Sequence, residues 1–470
     1  MDNQSTPALP HEQVTQWTPS NPLSTPRVTE ISAALGRLDA WIESESFQGW
    51  DPYDALNSPL LRVAANRNRV LGAAIVQSIR RSPLNIRPLL AIRKGYNPKA
   101  MGLFLATYAQ KFLATRQDGY LERVRFFYDW LRENASPGYA GYCWGYNFDW
   151  PNRAFFAPAG TPTIVNTAFI GLCLLSADPV LRASAAKAGA ADQVNPCLDG
   201  KDLGRTCHSL QIARNACNFI LDNLQTLRPS DEETCFSYTP LDRRFVHNAN
   251  LLGAWLLAAV YARTGEEHLA RNARAAARFT ARRQRPDGSW VYGPARNDQW
   301  VDNFHTGYVL VTLKSISALL RTHEFDSTVQ TGYWFWKTRM FESTCIPKYF
   351  PHKTYPIDIH SVAQAILTFL HFSDVDPEAA EHGGKVALWA IRNMQDREGF
   401  FYYQRHRTFT TRIPYIRWAQ AWMQQALTRL TVPASVSGYE LVPPTTLLVQ
   451  QATSRTATDQ TPCVSPNSTN

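Results

Sequence analysis

Apolar side chains recur with helical spacing over most of the chain. In segments 120–134 and 267–283, for example, they stand three and four positions apart with charged residues between them, which is typical of an amphipathic helix. Residues 1–27 and 433–470 are instead rich in Ser, Thr, Pro, Gln and Asn and lack this periodicity. The pattern predicts one all-α domain over 28–432, a disordered N-terminal tail and a disordered or loosely attached C-terminal tail.

A repeat runs through the helical part of the chain. Four segments share one order of features: a loop with aromatic or Gly residues, then a polar residue, then an apolar helix. The polar residue that opens each helix is Asn250, His305, His360 or Arg417, and the spacings between them are 55, 55 and 57 residues. A more divergent member of the series is anchored on Asn166, 84 residues before Asn250.

Each repeat has room for a second helix before the next repeat begins. A polar insertion at 186–206 lengthens the earliest clear repeat, and 96–112 is a possible first member. One further amphipathic helix fits between successive anchors, at 119–134, 205–224, 267–283, 324–341 and 377–395. Hairpins of about 55 residues suit a closed ring of five or six, an α/α toroid, which buries a shared core that one hairpin alone cannot.

Two stretches resemble known toroid proteins. The sequence QRPDGSWVYG at 284–293 is similar to the Gln…Gly-x-Trp motif of squalene-cyclase-like toroids, and 393–405 is a degraded second copy. In those families the motif is structural, which implies that Gly288 makes a turn and that Trp290 packs between helices. Over about 90–430 the chain resembles the six-hairpin toroid superfamily, which includes glycoside hydrolases, polysaccharide lyases and uronyl epimerase domains.

Loop 141–169 is similar to loops of uncharacterised toroid proteins associated with bacterial surface-polysaccharide synthesis. The resemblance implies a carbohydrate-active protein in such a pathway, with possible partners in a biosynthetic complex. The acidic DxDD cluster of squalene-type cyclases is absent, and DVDP at 374–377 precedes an outer helix instead. An isoprenoid-handling toroid of cyclase or prenyltransferase type is therefore an alternative with weaker support. A non-catalytic scaffold that binds a glycan or a protein is another.

Charge and composition narrow the partners and the compartment. The formal net charge is +9, yet no run of five Lys or Arg and no nucleic-acid-binding motif appears, so we expect no nucleic-acid partner. The charge is compatible with an anionic carbohydrate. No stretch reaches about 18 apolar residues, which predicts no transmembrane segment. The first residues carry no apolar signal region, and the eight Cys show no zinc-like spacing, so a cytoplasmic protein is predicted.

The polar residues at the helix starts should converge at the mouth of the ring, because the inner helices of a toroid run parallel. They are Asn166, Asn250, His305, His360 and Arg417, with Asp302, Asn303, Asp358 and Tyr415 just before them. Asp and Asn often cap helix N-termini, and capping alone would account for any one of them. It does not account for His305 and His360, since the helix dipole disfavours a charged imidazole there. Their matched positions, each near an Asp, predict a functional site.

Three reactions fit this set of residues. Hydrolysis of a glycoside uses two carboxyl groups, and the candidates are Asp302, Asp358 and Asp149. Elimination or C5 epimerisation of a uronic acid needs a base and a group that neutralises the sugar carboxylate. The residues that fit those roles are His305, His360, Tyr415, Asn250 and Arg417.

Aromatic rings near the mouth are expected to stack on sugar rings. The candidates are Trp144, Tyr146 and Trp300, and Asn166 and Asn303 are expected to bind the substrate as well. No cofactor is expected, and no HxxxH or HExxH spacing supports a metal site. The sequence thus predicts a toroid enzyme that acts on a glycan by hydrolysis, elimination or epimerisation.

Overall fold

The computed structural model describes the chain in five stretches: 25–65, 68–151, 156–187, 209–343 and 345–432. The predicted C-terminal tail, the N-terminal tail up to residue 24 and most of the insertion at 186–206 lie outside the described residues. Helix α1 begins at Thr25, so the last three residues assigned to the N-terminal tail belong to it.

Fourteen α-helices occupy the described residues. They are α1 (Thr25–Ser44), α2 (Pro59–Ala65), α3 (Arg69–Arg81), α4 (Pro98–Thr115), α5 (Asp118–Glu133), α6 (Ile164–Lys187), α7 (Ser209–Asn218), α8 (His247–Thr264), α9 (Glu267–Ala281), α10 (Asn303–Leu320), α11 (Asp326–Arg339), α12 (Ile359–His371), α13 (Ala379–Met394) and α14 (Ala421–Thr431). Two π-helical turns, Phe219–Asn223 and Ile416–Gln420, follow α7 and precede α14.

Short antiparallel strands connect some of the helices. They form three small sheets in the described chain: β1 (Trp150–Pro151) with β2 (Phe156–Ala157), β3 (Thr226–Ser230) with β4 (Glu233–Phe236), and β5 (Ile357–Asp358) with β6 (Gln404–Arg405) and β7 (Thr410–Thr411). Strand β5 runs directly into α12 and therefore fixes the start of that helix.

Six inner helices form a closed ring. Helices α4, α6, α8, α10, α12 and α14 each pack on the next, and α14 packs on α4. Their side chains are mostly apolar and buried, as in α8, where every residue from His247 to Val260 is buried. The outer helices α5, α7, α9, α11 and α13 each pack on the inner helix that precedes them. The predicted all-α toroid is confirmed, with six hairpins, and the five predicted outer helices are present.

The sixth hairpin is built from both ends of the described chain. Helix α1 packs on α14 and α13, and so serves as the outer helix of the last repeat. The side-chain amide of Gln395, after α13, donates to the carbonyl oxygen of Ala34 at 2.8 Å. The repeat pattern predicted a helical domain from residue 28, but it did not place α1 in the ring.

The Gln…Gly-x-Trp motif has the structural role that the resemblance implied. Gln284 Nε2 donates to the carbonyl oxygens of Gly288 and Thr328, at 3.0 and 2.9 Å, and so ties the turn after α9 to α11. Gly288 has a φ of +89°, and Trp290 is buried, with its indole N–H donating to the carbonyl oxygen of Thr280 at 3.0 Å. The motif therefore joins neighbouring outer helices.

The degraded copy of the motif repeats this arrangement between α13 and α1. Gln395 Nε2 also donates to the carbonyl oxygen of Gly399 at 2.9 Å, Gly399 has a φ of +109°, and the fully buried Phe401 stands where the first copy has Trp. A β-carbon on Gly399 would lie 2.2 Å from the carbonyl oxygen of Arg37. Only glycine fits so close to the α1 backbone.

A segment outside the repeat lies between α1 and α4. It carries α2 and α3, which pack around a small apolar core of Ala55, Leu56, Val76 and Ile79, separate from that of the ring. The buried Arg87 guanidinium fastens the segment, donating to Asp54 at 2.8 Å and to the carbonyl oxygen of Asp51 at 3.0 Å. Burial nevertheless raises the pKa of Asp54 to about 6.

Helix α6 is long and apolar enough to cross a membrane by length and composition, in the span Ile164–Ser184. It is an inner helix of the ring, however, and 89% of its most apolar window is buried within the protein. Its hydrophobicity is therefore that of a core helix.

Candidate active site

A cavity of about 340 Å³ opens where the inner helices begin. Each inner helix, or the turn that leads into it, contributes at least one side chain to the wall. These are Lys99, Val165, Asn248, Leu252, Phe304, His305, Tyr308, His360, Arg417 and Trp418. The convergence of the helix starts that the repeats predicted is thus realised by side chains from all six repeats.

Loops, strand β1 and helix α3 complete the wall of the cavity, and most of these side chains are aromatic. They are Tyr53, Arg80, Tyr146, Phe148, Trp150, Tyr238, Arg244, Tyr292, Trp300, Asp302, Tyr349 and Phe350. Tyr53 and Arg80 come from the segment between α1 and α4, which therefore reaches over the mouth of the ring. A cavity with aromatic walls and a few polar groups is suited to a sugar, which has both apolar and hydroxyl-bearing faces.

His305 is held by Asp302 through two contacts. One carboxylate oxygen accepts a hydrogen bond from the backbone N–H of His305 at 2.9 Å and so caps α10. The other lies 2.7 Å from the ring Nδ1 of His305 and also accepts from the indole N–H of Trp300 at 2.9 Å. With Nδ1 donating to the carboxylate, a neutral imidazole presents an unprotonated Nε2. The pair is therefore arranged as a base with its orienting carboxylate.

His360 is buried and has both ring nitrogens in hydrogen bonds. Its Nδ1 lies 3.1 Å from the carbonyl oxygen of Trp418, and its Nε2 lies 2.8 Å from the hydroxyl of Tyr308. A carbonyl oxygen only accepts, so the neutral ring donates from Nδ1 and accepts the Tyr308 O–H at Nε2. Burial, followed by the charge of Lys99, holds the pKa of His360 well below its usual range. His360 is thus neutral at physiological pH.

Asp358 lies behind the cavity wall and binds two residues of the wall, His360 and Trp418. It is 1% exposed and accepts three hydrogen bonds: from the backbone N–H of His360 at 2.9 Å, from the Trp418 indole at 2.9 Å and from the Gln404 amide at 2.6 Å. Burial raises the pKa of this carboxyl group. All three donors belong to the protein itself, and the carboxylate does not line the cavity.

Arg417 lines the cavity with its charge already paired. Its guanidinium donates to both carboxylate oxygens of Asp51, at 2.6 and 2.9 Å, and lies over the ring of Tyr146 at 4.9 Å. Arg244 is likewise bound to Asp298 at 2.7 Å. These two cations are neutralised by carboxylates outside the wall.

Lys99 is a cation without such a partner. Its ammonium group lies 4.1 Å from the ring centre of Phe169 and 5.1 Å from that of Trp422, and no carboxylate among the described residues pairs with it. Burial, reinforced by the charge of Arg417, lowers the pKa of Lys99 well below its usual range. Arg80 also lacks a carboxylate partner in the described chain. Asp302 is the one carboxylate in the wall, so neither Lys99 nor Arg80 forms an ion pair within the cavity.

No three His, Cys, Asp or Glu side chains in the described stretches are grouped as metal ligands. Several polar groups of the cavity are in hydrogen-bonded pairs, such as His305 with Asp302 and His360 with Tyr308, which can support proton transfer and charge stabilisation.

Comparison with known proteins gives the architecture a context. No family model matches the sequence, and no curated protein matches it. Among solved structures, cellobiose 2-epimerase from Bacillus thermoamylovorans has a TM-score of 0.55 at 10% identity over 73% of this chain and 90% of its own. The epimerase from Spirochaeta thermophila has a TM-score of 0.52 at 14% identity, over 72% and 85%. The unsaturated glucuronyl hydrolase of Bacillus sp. GL1 has 0.54 at 13% identity, over 88% and 98%.

The chain is a six-hairpin α/α toroid. At these identities the likeness concerns the fold alone. The roles of individual residues are therefore inferred from their positions and contacts in this structure. Six residues singled out in the sequence line the toroid's cavity: Asp302, His305, His360, Arg417, Tyr146 and Trp300.

Two predicted binding residues face the outer helices of the toroid. Asn250 accepts from the backbone N–H of Phe236 at 3.0 Å and donates to the carbonyl oxygen of Ala276 at 2.9 Å. Asn303 accepts from the Trp336 indole at 2.9 Å and donates to the carbonyl oxygen of Met340 at 2.9 Å. Both are fully buried. The structure places them between inner and outer helices rather than in the cavity wall.

Four other predicted residues also lie outside the cavity wall. Trp144 is buried and donates to the carbonyl oxygen of Leu131 at 2.9 Å. Asp149 accepts from the backbone N–H of Ala159 at 2.8 Å and lies 3.6 Å from Arg62.

Tyr415 is buried behind Arg417, with the Arg87 guanidinium 4.8 Å from its ring centre. Asn166 is fully buried, and neither polar atom of its side chain has a partner among the described residues.

The toroid also has wall residues that the repeat alignment did not select. Lys99, Tyr308, Arg80 and Tyr53 are the chemically important ones. Lys99 is the second residue of α4, just as His360 is the second residue of α12. Extending the list of anchors to the possible first repeat would therefore have found it.

Proposed function

We propose that the protein is a carbohydrate-active enzyme that moves a proton at a sugar carbon next to a carbonyl or carboxylate group, as in epimerisation or elimination. The observation that carries this proposal is the Asp302–His305 pair in the wall of a cavity that has no second carboxylate. The neighbouring folds support a saccharide as the substrate, since the solved structures include a cellobiose 2-epimerase and an unsaturated glucuronyl hydrolase.

In this mechanism the unprotonated Nε2 of His305 takes the proton from the sugar carbon. Asp302 stabilises the imidazolium that forms, because its carboxylate accepts from Nδ1. Negative charge then develops on the oxygen of the adjacent carbonyl or carboxylate, and a cation nearby lowers the energy of that state. Lys99 and Arg80 are the basic residues of the wall that form no ion pair with a carboxylate of the described residues. Return of a proton to the opposite face completes epimerisation, whereas loss of the neighbouring substituent completes elimination.

The same charge distribution supports an anionic saccharide, such as one that contains a uronic acid. Lys99 is buried against aromatic rings, so binding of a carboxylate beside it would offset the cost of keeping the ammonium charged. A neutral sugar would leave that cost in place. Because Lys99 and Arg80 form no ion pair with a described carboxylate, the wall favours a substrate that supplies one.

Hydrolysis is the second candidate, because the glucuronyl hydrolase covers 88% of this chain. Two carboxyl groups across the scissile bond are the usual requirement. Asp302 is in the wall, but Asp358 is saturated with protein donors and Asp149 holds a loop. The geometry therefore supports proton transfer at carbon better than hydrolysis.

We also propose that the enzyme acts in the cytoplasm, in synthesis or modification of a bacterial surface polysaccharide. The resemblance of loop 141–169 supports the pathway. Five cysteines in the described residues, Cys143, Cys173, Cys217, Cys235 and Cys345, carry free thiols, which is usual for a reducing compartment.

Deuterium exchange tests the reaction. The protein is incubated in D₂O with disaccharides and with uronate-containing oligosaccharides, and proton NMR follows loss of individual sugar C–H signals. We expect exchange at a carbon next to a carbonyl or carboxylate, and at least a 100-fold slower rate in His305→Gln, since general acid–base catalysis contributes about 10²–10⁴-fold.

The matched control is His323→Gln. His323 forms the same kind of pair, with its Nδ1 2.7 Å from Asp326, but on the outer surface, so this variant should exchange like the wild type. Cleavage of a glycosidic bond without exchange at carbon would instead establish hydrolysis. Equal exchange rates in His305→Gln and wild type, with both proteins folded by circular dichroism, would refute the assigned base.

A further inference from the structure

A second, larger concavity adjoins the cavity on its outer side. This groove has a volume of about 1010 Å³ and runs between the start of α10, the outer helix α11 and the loop that precedes β5. Trp300 and Phe350 line both the groove and the cavity. The two spaces therefore meet at these two rings.

Trp300 is a fixed part of that junction. Its ring stacks on Tyr292 with centres 4.7 Å apart, and its indole N–H donates to Asp302 at 2.9 Å. One residue thus contacts the carboxylate that orients His305 and also forms part of the groove wall. A ligand that extends from the cavity past Trp300 would enter the groove directly.

The groove has the chemistry of a saccharide-binding surface. Trp334 on α11 is 53% exposed, and the rings of Phe350 and His352 stack with centres 5.9 Å apart. Arg285 and Arg339 also line it, together with one carboxylate, Asp287, whose charge interacts with that of Arg285. Exposed aromatic faces suit the C–H faces of sugars, and the two guanidinium groups outnumber the single carboxylate of the lining and suit the carboxylates of an anionic sugar.

We propose that this groove binds further sugar residues of an anionic oligosaccharide whose reacting residue occupies the cavity. The proposal rests on the proposed function for its substrate class and goes beyond it in specifying a chain longer than the cavity can hold. A cavity of about 340 Å³ has room for one or two sugar rings, and the groove offers about three times that volume. The enzyme would therefore act on a polymer or on long oligosaccharides.

Binding measurements against chain length test the groove without reference to catalysis. The probes are oligogalacturonates, oligoalginates and heparosan oligosaccharides of two and of six sugar residues, measured by isothermal titration calorimetry. We expect at least one class of hexasaccharide to bind about tenfold more tightly than its disaccharide. Trp334→Ala should lower the hexasaccharide affinity about tenfold, as expected for loss of one stacked ring, and leave the disaccharide affinity unchanged.

Phe409→Ala is the matched control, because Phe409 is another exposed aromatic residue (46%) and lies away from the groove, beside β7. It should leave both affinities unchanged. Equal affinities for two and six residues, no effect of Trp334→Ala, or no binding of any hexasaccharide would each overturn the groove proposal. Length-dependent binding without deuterium exchange at a sugar carbon would uphold the groove and overturn the proposed reaction, so the two failures are distinguishable.

Discussion

Lys99 is the residue whose surroundings depend most on what fills the cavity. It is 4% exposed and lies against the rings of Phe169 and Trp422. Arg417 also lines the cavity, but its guanidinium is paired with Asp51. A buried ammonium without a counter-ion is costly. This group lies at the mouth of a ring whose inner helices are mostly apolar, which is the pattern expected of a residue that meets an anionic ligand.

Replacement of Lys99 should therefore separate anionic from neutral substrates. We expect Lys99→Met to lower kcat/KM for a uronate-containing substrate about 10- to 100-fold, since a hydrogen bond to a charged group contributes about 1.5–3 kcal/mol. A neutral disaccharide should be affected much less. The measurement is the initial rate of deuterium exchange at several substrate concentrations.

The comparison variant is Lys94→Met. Lys94 is paired with Glu45 and lies 4.9 Å from the ring centre of Trp50, outside the cavity wall. It should retain wild-type rates with both substrates. An equal loss of kcat/KM for uronate and neutral substrates in Lys99→Met would show that Lys99 does not bind the substrate carboxylate.

The chemistry of the site was predictable from the sequence only where a residue type stands out at a helix start. His305 and His360 did so, because capping does not require histidine. Asn250 and Asn303 matched the same sequence pattern but bind the outer helices. An α-helix turns about 100° per residue, so an alignment that is wrong by one position points a side chain at a different neighbour.

The hairpin is the unit that the sequence predicted best, since its 55-residue period follows from the need to bury one apolar helix against the next. The segment with α2 and α3 has no counterpart in the other repeats. Its Tyr53 and Arg80, which line the cavity, could not be found from periodicity. A single copy gives no pattern to align, so its position over the mouth follows only from tertiary contacts such as that of Arg87 with Asp54.

The contact between α1 and the turn at Gly399 leads to a prediction about stability. Gly399 combines a positive φ with a close approach to the backbone of Arg37, whereas Gly265, which ends α8, has a φ of +74° and open space around it. Gly265→Ala should cost about 1 kcal/mol of the free energy of unfolding, from backbone strain alone. Gly399→Ala should cost about 3 kcal/mol, because the new methyl group also displaces α1.

Urea-induced unfolding followed by circular dichroism measures both costs. Gly265→Ala gives the cost of a β-carbon at a positive φ without a steric contact, and the additional loss in Gly399→Ala reports the contact with α1 together with the less favourable φ of +109°. Similar losses in the two variants would mean that α1 does not press on Gly399 in solution.

The last hairpin of the ring brings together the first and the last described helices, α1 and α14. Leu38 of α1 and Leu313 of α10 are both fully buried. Helix α10 is flanked on both sides by inner helices, whereas α1 precedes all of the inner helices in the sequence. The sequence predicts a single domain over 28–432. If the ring unfolds as one cooperative unit, removal of either side chain should destabilise the entire ring.

We expect Leu38→Ala and Leu313→Ala each to lower the free energy of unfolding by about 2–5 kcal/mol, the usual cost of such a cavity. Each variant should still unfold in a single transition when followed both by tryptophan fluorescence and by circular dichroism. A small effect of Leu38→Ala, or a separate early transition in that variant, would show that α1 is an appendage rather than a member of the ring.

Closure by the two ends also bears on how the protein is made. The ribosome makes α1 and Asp51 before it makes their later partners. Arg417, whose guanidinium binds Asp51, and α14, which packs between α12 and α4, come near the end of the described chain. A polypeptide that terminates early lacks the carbonyl of Trp418 that holds His360 as well. Products that end between residues 305 and 417 therefore contain Lys99 and His305 but lack Arg417 and Trp418, which complete the cavity wall.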